Sequence, residues 1–156
     1  MKLLTLLLLI TSQTYGKLPS QSEIRGAFQK AAVEEKSCRN LLKILGDYNE
    51  KNNPLFGGYK ACATMIMAKY VFNPFTKMSY FSKGKSLLEK CITVDKQNIE
   101  LRYLRYTIQR KVPFFLQYRS SINEDKRMIS DAVVNLKDAE LKKMISEFLI
   151  AEKNSN

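Results

Sequence analysis

The chain has 156 residues, of which 26 are Lys or Arg and 15 are Asp or Glu, and it has a formal net charge of +11 and no histidine. Without histidine it lacks the usual general base at neutral pH and the commonest metal ligand, which excludes Ser-His-Asp and Cys-His catalysis in their ordinary forms. The excess of Lys and Arg favours contact with acidic surfaces, such as lipid headgroups, polyanionic glycans or an acidic protein.

The N-terminus has the pattern of a secretory signal peptide. A Met-Lys start is followed by an almost uninterrupted apolar run over residues 3–10 and then by small and polar residues up to Gly16. The run is shorter than the roughly 20 apolar residues that span a bilayer. We therefore expect residues 1–16 to be removed, with cleavage after Thr14 as the alternative, and a periplasmic or secreted product without a transmembrane segment. Removal takes away one Lys and no acidic residue, which leaves a single domain over residues 17–156 with a charge of +10.

Apolar residues recur every three to four positions in the rest of the chain, which is the period of the α-helix. Residues 22–45 follow this period and predict either one long helix or two short helices in line. Asn53-Pro54 then provides an N-cap and a first-turn proline for a second helix. The circumference of that helix is almost entirely apolar or small, so we expect neighbours to enclose it on several sides.

The following segments also read as helices. Asn73-Pro74 interrupts the pattern before a helix from about Lys77 to Val94, and Asn98 is expected to cap a further helix of about a dozen residues. Ser121 and Glu124 have the spacing of a capping box, and Asp138 is expected to cap the last helix. The sequence therefore predicts an all-α fold of about six antiparallel helices.

Pro113 cannot lie inside a helix without loss of a backbone hydrogen bond, so residues 112–118 predict a connecting turn. Its side chains include Phe114, Phe115, Leu116 and Tyr118. We expect them to fill the gap between two helices, and the wall of a ligand pocket is the alternative.

One segment resembles the second helix and closing turn of a tetratricopeptide repeat. Gly84 and Cys91 stand at the two small positions of that repeat, Asp95 and Asn98 stand in its turn, and Lys96 takes the place of the usual proline. The resemblance implies stacked helical hairpins.

A broader resemblance spans most of the mature chain. The signal peptide, the Ala/Met-rich helix before Asn73-Pro74-Phe75 and the segment from Tyr80 to Asp125 look like an uncharacterised family of small exported helical proteins of Bacteroidota-type bacteria. That resemblance implies no established activity.

The cysteines Cys38, Cys62 and Cys91 lie far apart, so zinc binding by them alone is not expected. Each lies on the inward face of a predicted helix, which favours buried thiols, and one disulfide plus a free thiol is the alternative. Adjacent carboxylates such as Glu124-Asp125 point about 100° apart on a helix, so we expect them to be solvated or paired with nearby Lys. No catalytic or cofactor motif is recognised.

The stretch RYLRYTIQRKVPFFLQYR, residues 102–119, interleaves cations with aromatic rings. On a helical wheel it shows an aliphatic face, an arginine stripe and a tyrosine face nearly opposite the aliphatic one. Two hydrophobic faces suit a helix in the middle of a stack. We expect its tyrosines to contact a neighbouring helix or line a concave surface, and its arginines to lie in water.

The simplest role of this helix is packing against its neighbours. The helix also supplies the candidate partner-binding surface. Nucleic acid is disfavoured as a partner because an exported protein rarely meets it and no recognition motif is present. We expect a non-enzymatic module that binds a protein or peptide without cofactor or metal. The alternatives are a basic binder of anionic envelope lipid or glycan and an enzyme that works with Asp, Tyr or Lys. The candidate partner-binding residues are Arg102, Tyr103, Arg105, Tyr106 and Arg110.

Overall fold

A computed structural model gives the structure of residues 18–154, so the predicted signal peptide lies outside the described residues. Between residues 18 and 154 the chain forms α-helices and one short 3-10 helix, and no strand. The all-α prediction is therefore confirmed, with seven α-helices in place of about six. They are α1 (Gln21–Ala31), α2 (Glu35–Ile44), α3 (Pro54–Met67), α4 (Pro74–Val94), α5 (Ile99–Lys111), α6 (Ile122–Val133) and α7 (Ala139–Lys153), with the 3-10 helix (Phe114–Leu116) between α5 and α6.

The additional helix comes from a break in the predicted helix over residues 22–45. α1 ends at Ala31, and α2 begins at Glu35 because Glu34 takes an extended backbone with φ −132° and ψ 126°. The two helices pack against each other instead of continuing in line. Neither Gly nor Pro marks the break, so the apolar period alone does not locate it.

Most of the predicted N-caps are confirmed. The side-chain oxygens of Asn53, Asn98 and Asp138 accept backbone N–H bonds at the starts of α3, α5 and α7. Asn73 caps α4 in the same way, although the sequence predicted it only as an interruption before that helix. α4 begins at Pro74, three residues before the expected start. The predicted capping box at Ser121 is wrong, because Ser121 makes no side-chain capping bond and Glu124 pairs with Arg102 at 3.1 Å.

α3 and α4 form the most extensive helix pair of the fold. A Cβ atom added at Gly84 would lie 2.5 Å from the carbonyl oxygen of Ala61 and 2.6 Å from Cγ of Met65. The backbones of the two helices therefore meet at a point where only glycine fits.

α5 lies between two hydrophobic clusters. Its aliphatic residues, Leu101, Leu104 and Ile108, join a large cluster formed mainly by α1 to α4, and Tyr103 and Tyr106 join a smaller cluster with α6 and α7. The prediction of two hydrophobic faces on this helix is confirmed.

The three cysteines are free thiols in the larger cluster, and each is fully buried. The prediction of buried thiols is confirmed. Burial raises the pKa values of Cys38 and Cys91 to about 11 each, so both thiols are protonated at neutral pH.

Among the helices of residues 18–154, none combines the length and the apolar composition that a membrane-spanning helix needs.

Gly84→Ala should destabilise the protein by about 1–3 kcal/mol, because the added methyl group overlaps the backbone of α3. Gly26→Ala in α1 is the matched control, since a Cβ atom there meets nothing within 4 Å. The control should stabilise the protein by up to about 1 kcal/mol through helix propensity. Urea unfolding followed by far-UV circular dichroism measures both, and equal effects would contradict the close contact.

Candidate functional site

The arginines of the predicted partner-binding surface do not lie in water. Arg102 is 7% exposed and Arg105 is 5% exposed. The expectation of solvated arginines is wrong. The physical reason is a set of carboxylates on neighbouring helices, which the sequence period cannot reveal.

Asp125 of α6 is the main partner of these arginines and is itself fully buried. Its Oδ2 accepts from Nε of Arg105 at 2.7 Å, and its Oδ1 accepts from Nη2 of Arg105 at 2.8 Å and Nη1 of Arg102 at 3.1 Å. Glu124 and Glu89 extend the network at its edges. Burial disfavours the charge of Arg105, but the hydrogen bonds and charge of Asp125 outweigh it and raise the pKa of Arg105 above its ordinary value. The expectation that the Glu124-Asp125 carboxylates are solvated or paired with Lys is wrong for Asp125, which is buried against arginines, whereas Glu124 is exposed and pairs with Arg102.

The tyrosines of the same helix pack against α7. The rings of Tyr103 and Tyr106 lie 5.7 and 5.8 Å from the ring of Phe148 in edge-on contacts. The hydroxyl of Tyr106 donates to Glu152 at 2.6 Å, and Nε of Arg110 pairs with the same carboxylate at 2.6 Å. The expected contact of the tyrosines with a neighbouring helix is confirmed. Most of the predicted partner-binding side chains of α5 thus hold neighbouring helices together, and a partner could reach little of them.

A second buried network ties α1 to α5. Nη2 of Arg25 pairs with Oε2 of Glu100 at 2.6 Å, and the hydroxyl of Tyr59 donates to Oε1 of Glu100 at 2.5 Å. Asp138 and Glu140, at the start of α7, complete the set. The hydrogen bond to Glu100 is the main reason that the pKa of Arg25 is raised despite burial. Sequence reasoning missed this network, because its hydrogen-bonded pairs are 41 to 115 residues apart in the chain.

A cavity of about 730 Å³, here called the apolar groove, opens at one end of the helical fold. The end of α1, the end of α3, the start of α4, the end of α5, the 3-10 helix and α7 contribute to its wall. Its apolar lining includes Phe28, Met65, Met78, Phe81, Ile108 and Phe148.

The turn after Pro113 contributes to this groove in a way that matches the pocket-wall alternative. Phe115 and Leu116 line the groove, whereas Tyr118 is buried and its ring lies 5.9 Å from the ring of Phe81. The expectation that these aromatic side chains fill a gap is therefore confirmed for Tyr118. It is wrong for Phe114 and Phe115, which are 80% and 75% exposed.

Three lysines are the charged residues of the groove lining. Lys69, Lys77 and Lys111 are exposed at its edge, and no Asp or Glu lines it. Tyr103 is the one predicted partner-binding residue in the lining, and burial raises its pKa to about 12, so its phenol is neutral at physiological pH. The groove thus offers apolar contact inside and positive charge at the edge.

Within residues 18–154, no group of three or more Cys, Asp or Glu could hold a metal ion. Comparison with known proteins gave no match to a family model, to a curated protein or to a solved structure.

Asp125→Asn should destabilise the protein by about 3–5 kcal/mol, because it leaves two buried arginines without their shared carboxylate. Glu35→Gln is the matched control, since Glu35 pairs with Arg39 on the surface and its loss should cost less than about 1 kcal/mol. Urea unfolding at neutral pH measures the difference in the free energy of unfolding between the two variants. Failure of the Asp125→Asn protein to fold would be the largest such loss of stability. A similar, small effect of both substitutions would show that the buried network does not stabilise the fold.

Proposed function

We propose that the protein is a non-enzymatic binding module that acts outside the cytoplasm and takes an amphipathic helix of a partner protein into the apolar groove. The groove itself is the observation that supports this proposal most. Its volume of about 730 Å³ lies in the range of about 300–1,000 Å³ typical of ligand pockets. The signal-peptide pattern of residues 1–16 supports export.

The chemistry of the groove favours a particular kind of helix. Side chains inside the groove must be apolar, because polar groups there would lose their water without finding hydrogen bonds. Residues flanking them should be acidic, because Lys69, Lys77 and Lys111 stand at the edge. A helix with apolar anchors at positions i, i+3, i+4 and i+7 and Glu beside them meets both requirements.

The proposed binding surface is the groove and not the arginine and tyrosine surface of α5 that the sequence predicted. The arginines of the stripe are paired with Asp125, Glu124 and Glu89, and their burial leaves them little contact area for a partner. The tetratricopeptide-like character, suggested by the segment from Gly84 to Asn98, is part of the proposal, since hairpins of that type present concave surfaces to peptides.

A pair of designed peptides provides the probe. Both are amphipathic helices with the same Leu and Phe anchors, and the flanking residues are Glu in one and Lys in the other. Fluorescence anisotropy of the labelled peptides should show binding of the Glu peptide and weaker binding of the Lys peptide. The double variant Lys77→Glu/Lys111→Glu should reverse this order, because the charge of the groove edge changes sign.

Met78→Asp should weaken binding of the Glu peptide by about tenfold or more, because it places a carboxylate in the groove. Ile44→Asp is the matched control: Ile44 is 49% exposed on α2, away from the groove lining, and Met78 is 48% exposed. Binding by the control should equal that of the unchanged protein. The proposal is overturned if the two variants behave alike, or if a long-chain fatty acid binds in the groove and neither peptide does.

A further inference from the structure

Four phenylalanines are almost fully accessible to solvent at two turns of the chain. Phe72 is 98% exposed and Phe75 is 86% exposed around the start of α4, and Phe114 and Phe115 are 80% and 75% exposed in the 3-10 helix. Exposed apolar residues scattered singly need no explanation, but a contiguous group marks an interaction surface. Whether the four rings form one surface therefore depends on how close the two turns lie to each other.

The two turns lie at the same end of the fold. α4 ends at Val94 and α5 begins at Ile99, so the two helices form a hairpin in which the end of α5 returns toward the start of α4. Pro74, from the first turn, and Phe115, from the second, line the same groove. We call the four side chains at this end, Phe72, Phe75, Phe114 and Phe115, the phenylalanine tip.

The two chain segments that carry these phenylalanines contain cations and no carboxylate, and the nearby Glu34 and Glu35 lie at the start of α2. Residues 68–85 contain four lysines and no Asp or Glu, and residues 108–119 contain two arginines, one lysine and no Asp or Glu. Lys69, Lys77 and Lys111 are exposed beside the groove. Exposed aromatic rings surrounded by lysines match the interface of an anionic bilayer, where rings lie at the level of the headgroups and ammonium groups meet phosphates.

We propose that the phenylalanine tip docks the protein on the surface of an anionic lipid bilayer. The four rings enter the headgroup region, and the adjacent lysines contact lipid phosphates. A bilayer fits this surface better than an acidic glycan, because a glycan supplies charge but no apolar layer for the rings.

This docking does not rest on the occupant proposed for the groove. Phe72, Phe75 and Phe114 lie outside the groove lining, so they can be changed while the groove keeps its residues. Their exposure also means that their replacement removes no core contact. Failure of peptide binding and failure of membrane docking are therefore separate results.

Vesicle sedimentation tests the proposal. The protein is purified from a host that exports it, and its N-terminus is determined by mass spectrometry, so that every variant is compared on the same chain. Vesicles of equal parts phosphatidylglycerol and phosphatidylcholine should bind it, and pure phosphatidylcholine vesicles should bind it weakly. Added salt should weaken binding without abolishing it, because the rings contribute a part that salt does not screen.

The triple variant Phe72→Ser/Phe75→Ser/Phe114→Ser should lower partitioning onto the phosphatidylglycerol vesicles by about tenfold or more. Val94→Ser/Val134→Ser is the matched control, because these residues are 60% and 68% exposed and lie outside both the tip and the groove. The control should bind as the unchanged protein does, and both variants should keep its melting temperature.

Three results would overturn the proposal. In the first, the triple variant binds vesicles as strongly as the control and salt abolishes the binding of both, which would mean adhesion through net charge alone. In the second, the protein binds soluble heparin but not the vesicles, which would assign the cations to a glycan. Reduced Glu-peptide binding in the triple variant, with vesicle binding unchanged, would also overturn it.

Discussion

The pairing of Asp125 with Arg102 and Arg105 is the contact on which the position of α5 depends. This helix has apolar residues on two sides with arginines between them, so placing it between two hydrophobic clusters necessarily buries the arginines. Burial of unpaired cations would cost far more than the apolar contacts return. Asp125 removes that obstacle because both of its oxygens accept bonds from the guanidinium groups. The burial of α5 therefore requires that α6 pack against it, because α6 carries Asp125.

The parts of the fold that the sequence predicted are those fixed by local chemistry. Asn98 and Asp138 cap their helices through bonds to backbone groups three residues away, and such bonds are visible in the sequence. The same reasoning failed at Ser121, because Glu124 has a partner 22 residues away in Arg102. The arginine stripe was misplaced for the same reason. A helical wheel shows which residues share a face, but it does not show whether a carboxylate from another helix covers that face.

The candidate site was less accessible to sequence reasoning, because the groove is assembled from the ends of elements that are distant in the chain. The aromatic turn after Pro113 was the one local sequence feature that predicted part of the groove wall, which Phe115 and Leu116 line. The break between α1 and α2, which helps to shape the same end, carries no Gly or Pro. The exposure of Phe72 and Phe75 also depends on which neighbours α4 has, and periodicity alone leaves that open.

The buried pairs also determine where the excess positive charge of the protein appears. Asp125, Glu100 and Glu152 are each engaged with arginines in the interior or between helices, so these carboxylates do not offset the lysines at the surface. The residues that line the groove include no Asp or Glu, and residues 68–85 and 108–119 contain none. A modest excess of Lys and Arg thereby becomes a cationic end that also carries the exposed phenylalanines. The cationic charge of this end is thus linked to the way the interior pairs its own arginines with carboxylates.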